Sequence, residues 1–452
     1  RFDSAYGIAY SWFTWDVMYG SRLHVRSLPY IGRSSQDRDG ETRFEPDDFR
    51  YGHSEPLGIN EMVDDERHTT VYGLKTDWKM EAGSRHLARF GFDLRGFRAT
   101  YDYMNRRRGR LRLGPPIHVG HDTIRATPEP QGWQVGLYVS DKWQVAGPLM
   151  VDLGLRYDRQ SHTAEGRTSP RAAVALPLGS NTVLRAAWGR YYQAHSIGDL
   201  AVQDGVETFS RAQLATHHVM GLESVLCAGL QIRIEGYWKV LKHIRERFDN
   251  LRGEIEFLPE IEGDRVRLFP IRGRARGVEV YAKRDTGGRL SWWVTYAWSQ
   301  TRETHDPSRG RSQFRGETVP REFDQTHTFS VDLAYRPSPV WSVSAAWQIR
   351  SGWPYTPREL VRRTWADGRE YLAVVDGELY GRRYPPYHRL DVRLSRRFAF
   401  QNWGLFVSLE VTNAYDRDNV RRYRYHGSSE TLVREPEKWL PLLPSLTVGA
   451  EF

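Results

Sequence analysis

The stretch VDLGLRYDR (151–159) decides the fold. Val151, Leu153, Leu155 and Tyr157 fall on one side of an extended chain, and Asp152, Gly154, Arg156 and Asp158 on the other, because successive side chains of a strand point to opposite faces. One face is greasy and the other charged. The pattern recurs through 452 residues. The arrangement that best satisfies many such strands is all-β: a large antiparallel transmembrane β-barrel, with lipid outside and water inside.

The same alternation can be followed elsewhere. Val135, Leu137, Val139 and Trp143 alternate with Gly136, Tyr138, Ser140 and Lys142, and Leu230, Ile232, Ile234 and Trp238 with Gln231, Arg233, Glu235 and Lys239. Trp292–Trp298, Phe329–Tyr335, Trp341–Ile349, Leu390–Leu394 and Trp403–Val411 repeat it. Period two at this fidelity marks half-wet strands. About 18 to 22 strands are expected, most simply 22, at about 11 residues per crossing. Segments 6–26, 243–272 and 356–378 are the candidates that raise the count to that range.

The connections alternate in length. Tight ones are expected at Glu81–Ser84, Ala146–Pro148, Pro177–Asn181, Arg284–Gly288, Pro337–Pro339 and Phe398–Gln401, where Gly, Pro, Asn and Asp suit hairpins. Longer polar segments run at Arg106–Pro130, Gln193–Thr216, Thr301–Glu322 and Asn413–Lys438. Short periplasmic turns and long extracellular loops are the bacterial outer-membrane pattern. The last strand, Leu443–Phe452, ends on the short-turn side. Trp133, Trp143, Tyr157, Trp188, Tyr296, Trp298, Tyr335 and Trp341 lie near strand ends, the level at which Trp and Tyr favour lipid headgroups.

Composition narrows the alternatives. Hydrophobic residues are 39% and charged residues 27%, and no run of 18 apolar residues exists, which excludes transmembrane helices but not barrels. The single cysteine, Cys227, rules out an internal disulfide. The net charge of +9 fits a solvated wall with slightly more Arg than carboxylate. The texture is uniform from residue 1 to 452, so one barrel domain is expected, and nucleic acid is not an expected partner.

With these phrases in hand, the chain resembles the C-terminal barrel of TonB-dependent receptors. The resemblance rests on GWQVGLYVSDKWQV (132–145), VDLGLRYDR (151–159), SPRAAVALPL (169–178), NTVLRAAWGRYYQ (181–193), RGVEVYAKR (276–284), FDQTHTFSVDLAYRP (323–337) and SGWPYTP (351–357). PPYHRLDVRLSRRF (385–398), VSLEVTNAYDRDNV (407–420) and the closing SLTVGAEF, ending in Phe452, complete it. It implies a cell outer-membrane location and energised import of a scarce, bulky solute: a siderophore, cobalamin, glycan or peptide. It also implies coupling to TonB–ExbB–ExbD through a plug and contact segment expected ahead of Arg1, recognition of the Phe452 strand by the barrel-assembly machinery, and contact with lipopolysaccharide and outer-membrane lipid. The alternative function is a passive or structural barrel, a channel or a component of a cell-surface complex, without TonB coupling.

Local features add little chemistry. GRYYQAHS (189–196), with Tyr191, Tyr192, Gln193 and His195, fits a headgroup girdle and also a ligand contact. His217 and His218 point to opposite faces and lack partners at metal spacing. The acidic runs QDRDGE (36–41), EPDD (45–48) and VDDE (63–66) read as solvated loops, and NRRRGRLR (105–112) as a basic rim that could meet phosphates. Arg89, Asp93, Arg95, Arg233, Glu235, Asp332, Arg336, Asp391 and Arg393 are expected on the water-facing side. No phosphate loop, HExxH, GxSxG or Cys cluster occurs, and DTGG (285–288) sits at a hairpin turn. No catalytic residue, metal ligand or cofactor is expected, and the pattern assigns the ligand to no particular residues.

Overall fold

The computed structural model describes residues 2–44, 56–111, 118–251, 258–262, 265–285, 287–311, 314–364, 368, 370–427 and 432–452. No helix of it is long and apolar enough to cross a membrane. The wall begins with β1 (Phe2–Trp12), β2 (Trp15–Tyr19), β3 (Leu23–Phe44), β4 (Pro56–Ala82), β5 (His86–Leu111), β6 (His118–Ala126) and β7 (Gln131–Ala146). It continues with β8 (Leu149–Gln160), β9 (Glu165–Pro177), β10 (Thr182–Gln193), β11 (Gln213–Val225) and β12 (Leu230–Lys242). A small hairpin, β13 (Arg247–Asn250) with β14 (Arg265–Leu268), precedes β15 (Pro270–Arg284), β16 (Leu290–His305), β17 (Thr318–Pro320), β18 (His327–Ser338) and β19 (Trp341–Arg350). Then come the paired loop strands β20 (Pro354–Tyr355), β21 (Arg358–Thr364), β22 (Glu370–Asp376) and β23 (Arg382–Arg383). The wall resumes with β24 (Tyr387–Ala399) and β25 (Gly404–Thr412), the loop hairpin β26 (Val420–Gly427) with β27 (Leu432–Lys438) follows, and β28 (Leu443–Glu451) ends the chain.

Among the described residues, twenty strands join one sheet, and each pairing in it is antiparallel between successive wall strands, with the loop hairpins skipped. β2, β6 and β17 share a partner edge with β1, β7 and β18, so they extend a rung rather than add one. Each rung reverses direction, and an even number of reversals leaves β1 and β28 running the same way. No pairing joins β28 to β1 or β2 among the described residues, so the sheet has two free edges.

The expected tight connections sit between consecutive wall strands, and Gly83, Gly147 and Gly179 take positive φ there (74°, 52° and 79°). A further turn at Cys227–Gly229, joining β11 to β12, escaped the sequence pattern. Phe452 stacks on Trp403 at 6.5 Å at this short-turn end.

Three expectations need correcting. The acidic runs 36–41 and 63–66 are strand, within β3 and β4; 45–48 lies outside the described residues. Segments 243–272 and 356–378 add no full wall strand. The first is mainly the β13–β14 hairpin and the second holds β21–β22, both outside the main sheet. The basic run from Asn105 continues β5 to Leu111 rather than forming a loop. β3, β4 and β5 are 22, 27 and 26 residues long, far more than the roughly 10 a crossing needs. Their extra length projects on the long-loop side. There the polar side chains pair with each other and with loops, so no greasy face is required.

The two faces follow the alternation. Leu184, Leu222, Ile234, Val280, Tyr296 and Phe329 form one continuous cross-strand row on the outer face. Leu153 is 54% and Leu446 67% exposed on the same side. The total accessible area is 27,077 Å², against roughly 17,600 Å² for a compact soluble protein of this mass. Covering one such side chain is worth about 1.5–3 kcal/mol, so a band this long demands an apolar surround. Every charge expected on the water side lies on the opposite, inner face by strand register: Arg89, Asp93 and Arg95 of β5, Arg233 and Glu235 of β12, Asp332 and Arg336 of β18, and Asp391 and Arg393 of β24. Leu155→Arg on the outer face should therefore cost about 2–4 kcal/mol near mid-bilayer, and Ala173→Arg on the inner face far less, in urea unfolding from lipid vesicles. Equal costs would mean that the outer face does not meet hydrocarbon.

Candidate functional site

The inner face is identified by what crosses it. The 194–212 connection reaches over to β4 and β5: the Tyr101 hydroxyl donates to the Ile197 carbonyl (2.8 Å) and accepts from the Leu200 amide (3.2 Å). Arg67 donates to Gln203 at 2.9 Å. Ile197, Leu200 and Val202 are buried against Val63, Ala99, Tyr101 and Tyr103, together with Leu258 and Ile261. A second small core of Val266, Leu268, Phe314, Val319, Leu379 and Tyr380 ties other long loops together. The long-loop side thus carries a packed cap.

Beneath the 194–212 connection lie two adjoining cavities, of about 880 and 360 Å³. Ser196 and Ile197 separate them, and Arg95 and Phe97 line both. The larger is faced by Tyr6, Tyr10 and Trp12 of β1, Tyr30 of β3, and Arg67 and Lys75 of β4. Strand alternation puts these rings inward, since Tyr10 pairs with Gly32, and the Tyr10 ring covers that glycine; a Cβ there would come within 2.1 Å of it. The smaller is faced by Arg156, Asp158, Gln160, His162, Arg167 and His195.

The charges are matched along the strands, two residues apart on one face. Arg95 pairs with Asp93 and Arg167 with Glu165; Arg156 reaches Asp158 at 2.6 Å and Arg67 reaches Asp65 at 2.7 Å. Bidentate Arg–carboxylate geometry fixes these planes. His195 accepts from the Ser210 amide at Nδ1 (3.0 Å) and donates from Nε2 to the Asp199 carbonyl (3.1 Å). Burial lowers its pKa, which suits this neutral tautomer. Phe209 stands edge-on between His162 and His195, at 4.8 and 5.4 Å. The structure so divides GRYYQAHS: Tyr192, Gln193 and His195 line the smaller cavity, and Tyr191 packs on His217 at 4.7 Å. His218 packs instead against Trp238, so the two histidines do part.

Two buried glutamates of the cap are held in opposite ways. Burial disfavours charge on Glu303, but hydrogen bonds from His305 (3.1 Å) and Arg247 (2.6 Å), with Arg321 at 3.3 Å, hold its pKa down to about 2. Burial pushes Glu61 up to about 7; Arg107 at 3.0 Å opposes this and Glu260 adds to it. Among the described residues, no group of three or more His, Cys, Asp or Glu is placed to hold a metal. The Asp285 carboxylate of DTGG merely accepts from the Gly287 amide across its turn, at 3.4 Å.

Residues 2–222, just under half of the chain, match the family model described as TonB dependent receptor-like, beta-barrel. That family is one of transporters, not enzymes. No curated protein matches the chain. Among solved structures, the ferric citrate transporter FecA in its unliganded form is 14% identical with a TM-score of 0.60, covering 100% of this chain and 62% of that one. BauA, the ferric preacinetobactin receptor from Acinetobacter baumannii, is 11% identical with a TM-score of 0.58, covering 99% and 63%. FpvA of P. aeruginosa, bound to a heterologous ferric pyoverdine, is 10% identical with a TM-score of 0.56, covering 98% and 56%. The chain therefore spans less than two thirds of these proteins, and the likeness is one of fold: a large, mostly antiparallel β architecture of barrel type.

Two outcomes test this geometry. Tyr101→Phe removes a hydroxyl that serves as both donor and acceptor, and should raise hydrogen exchange at 196–201 by about tenfold, as the loss of about 1–1.5 kcal/mol implies; unchanged exchange would show that the anchor is idle. Glu61 has a folded pKa raised above its ordinary value, so its contribution is full below pH 4.5 and lost as pH rises through about 7. Protection factors over 258–262, with the intrinsic pH dependence of exchange divided out, should accordingly be lower at pH 8 than at pH 5.5, and Glu61→Gln should flatten the difference.

Proposed function

We propose that this chain is the barrel wall of an outer-membrane importer that takes up a scarce, bulky solute, with TonB supplying the energy. The observation that carries the reading is the two-faced wall, bare and apolar outside, ion-paired inside, enclosing a capped chamber. The match over 2–222 to TonB-dependent receptor barrels supports the same reading.

In this scheme the long loops face outward and the short turns face the periplasm. The wall closes into a cylinder of about 22 strands, and because β1 and β28 run the same way, all-antiparallel closure takes an odd number of further strands between them. A solute enters past the cap and meets the chamber, where Tyr6, Tyr10, Trp12 and Tyr30 offer flat apolar surfaces and Arg67 and Arg95 offer planar donors. A gating plug, expected ahead of Arg1, fills the lumen and is displaced when TonB pulls on its contact segment. The strand ending in Phe452 is read by the assembly machinery. The solved neighbours are named for ferric chelates, and that class is the first to try, ahead of cobalamin, glycans and peptides.

The test is uptake by cells carrying the full-length protein, with single iron chelates, cobalamin or glycans offered in turn. Uptake of one should require TonB and stop with a protonophore, and Arg67→Ala with Arg95→Ala should lower it at least about tenfold at unchanged surface display. Uptake that persists without TonB would replace this reading with that of a passive channel.

A further inference from the structure

The 194–212 connection has two limbs, and they are held in different ways. The first, 194–204, is pinned to the wall and to the cap. Tyr101 binds it at Ile197 and Leu200, Arg67 binds Gln203, and Arg265 grips Asp204 through two nitrogens at 2.5 and 2.6 Å. Its Ile197, Leu200 and Val202 are buried. The second limb starts at Gly205, whose φ of 73° turns the chain back, and ends where β11 begins at Gln213. Between those fixed ends, residues 205–212 close one side of the smaller cavity. Ala212 lines it, and Phe209 packs on the lining residues His162 and His195.

Three contacts hold the second limb in place. The Ser210 amide donates to His195 Nδ1 at 3.0 Å, and the Phe209 ring stands between His162 and His195. The Ala212 amide donates to Glu165 at 2.8 Å, with Arg211 Nε at 3.4 Å from the same carboxylate. His195 is therefore the tie between the limbs: its backbone belongs to the first, and its ring holds the second. The residue is 4% exposed, and its Nε2 is already engaged with the Asp199 carbonyl at 3.1 Å. Its own carbonyl accepts from His162 Nε2 at 2.8 Å.

With both ring nitrogens in use, only the neutral tautomer of His195 fits. A second proton would sit on Nδ1 and point at the Ser210 N–H, donor against donor, so the tie between the limbs is lost outright. The new charge would also meet a basic surround. Arg245 reaches Asp199 at 3.9 Å, and Arg167 and Arg211 both lean on Glu165. His162 acts on the His195 ring, and His243 lies by Arg211, Arg167, Glu165 and Lys242. Four cations thus share two carboxylates, while Glu207 on the second limb is exposed. The cavity's remaining cations, Arg95 and Arg156, are neutralised by Asp93 and Asp158. Among the described residues, no carboxylate bonds to the His195 ring.

We propose that residues 205–212 are a proton-released lid on the chamber: closed while His195 is neutral, and swung out on Gly205 when the ring takes a second proton, which opens the smaller cavity. Burial lowers the pKa of His195 from its ordinary 6.5, with Arg245 and His162 acting the same way against the Asp199 hydrogen bond. The closed lid is therefore fully supported above pH 6.5 and loses that support as pH falls below it. Glu61 acts with opposite sign on 258–262, so the two parts of the cap respond to acid in opposite directions. The lid rests on the chamber's geometry and not on import.

The experiment is hydrogen–deuterium exchange of the full-length protein in mild detergent, without solute, at pH 7.5 and pH 5, as protection factors with the intrinsic pH dependence divided out. Protection over 207–212 should fall about tenfold at pH 5, the loss of one buried hydrogen bond, while 196–201, held by Tyr101, stays protected. His195→Asn keeps an acceptor near the place of Nδ1 but takes no proton, and should leave 207–212 equally protected at both pH values. Glu165→Gln retains the titrating ring and should keep the response. Unchanged heat-modifiable mobility checks the fold of each variant. A flat profile in the unaltered protein, a response that survives His195→Asn, or one abolished by Glu165→Gln would overturn the lid. Absence of TonB-dependent uptake with the pH response intact would instead strike only the import reading.

Discussion

Backbone pairing between neighbouring strands is the interaction on which everything else depends. Once Leu184, Leu222, Ile234 and Val280 are locked in one cross-strand row, their faces are no longer free to choose. A slip of one residue would turn every apolar side chain inward and every charge outward. Register is therefore specified by the cost of misplacing a whole face, not by any single contact.

The long extensions of β3, β4 and β5 build on that frame. Above the apolar band they have no lipid to meet, and their inner side chains instead receive the 194–212 and 258–262 segments. Arg38 binds Asp65 across the β3–β4 pair and reaches Glu260 at 3.0 Å, so one guanidinium links two strands to a loop more than 200 residues away. Arg265 of the β13–β14 hairpin likewise reaches Asp204, 61 residues away, at 2.6 Å. The cap is held by such distant polar bonds around two small apolar cores, which gives the chamber a roof with defined edges.

How much of this was legible in the sequence depends on the range of the interaction involved. VDLGLRYDR disclosed its two faces because alternation is local, and the turn at Ala146–Pro148 disclosed itself through Gly147. The acidic runs 36–41 and 63–66 misled because strand above a membrane needs no greasy side, and composition alone then resembles a loop. The same blindness made 356–378 look like wall when it is a loop hairpin. The chamber was nearly invisible: Tyr101 and Ile197 meet across 96 residues of chain. GRYYQAHS gave a partial signal, since polar and aromatic residues just past a strand end suit either a girdle or a cavity, and the chain uses them for both.

Many inner arginines are paired with an acid, several of them two positions along their own strand, as Arg95 with Asp93, Arg156 with Asp158 and Arg389 with Asp391, and this has an electrical consequence. Neutralised locally, rung by rung, such a lining projects only a weak net potential into the space it encloses. Passing ions of either sign would feel nearly the same field there, so discrimination between solutes falls to shape and to the roof above, where Glu61 and Glu303 show that charge is unevenly balanced.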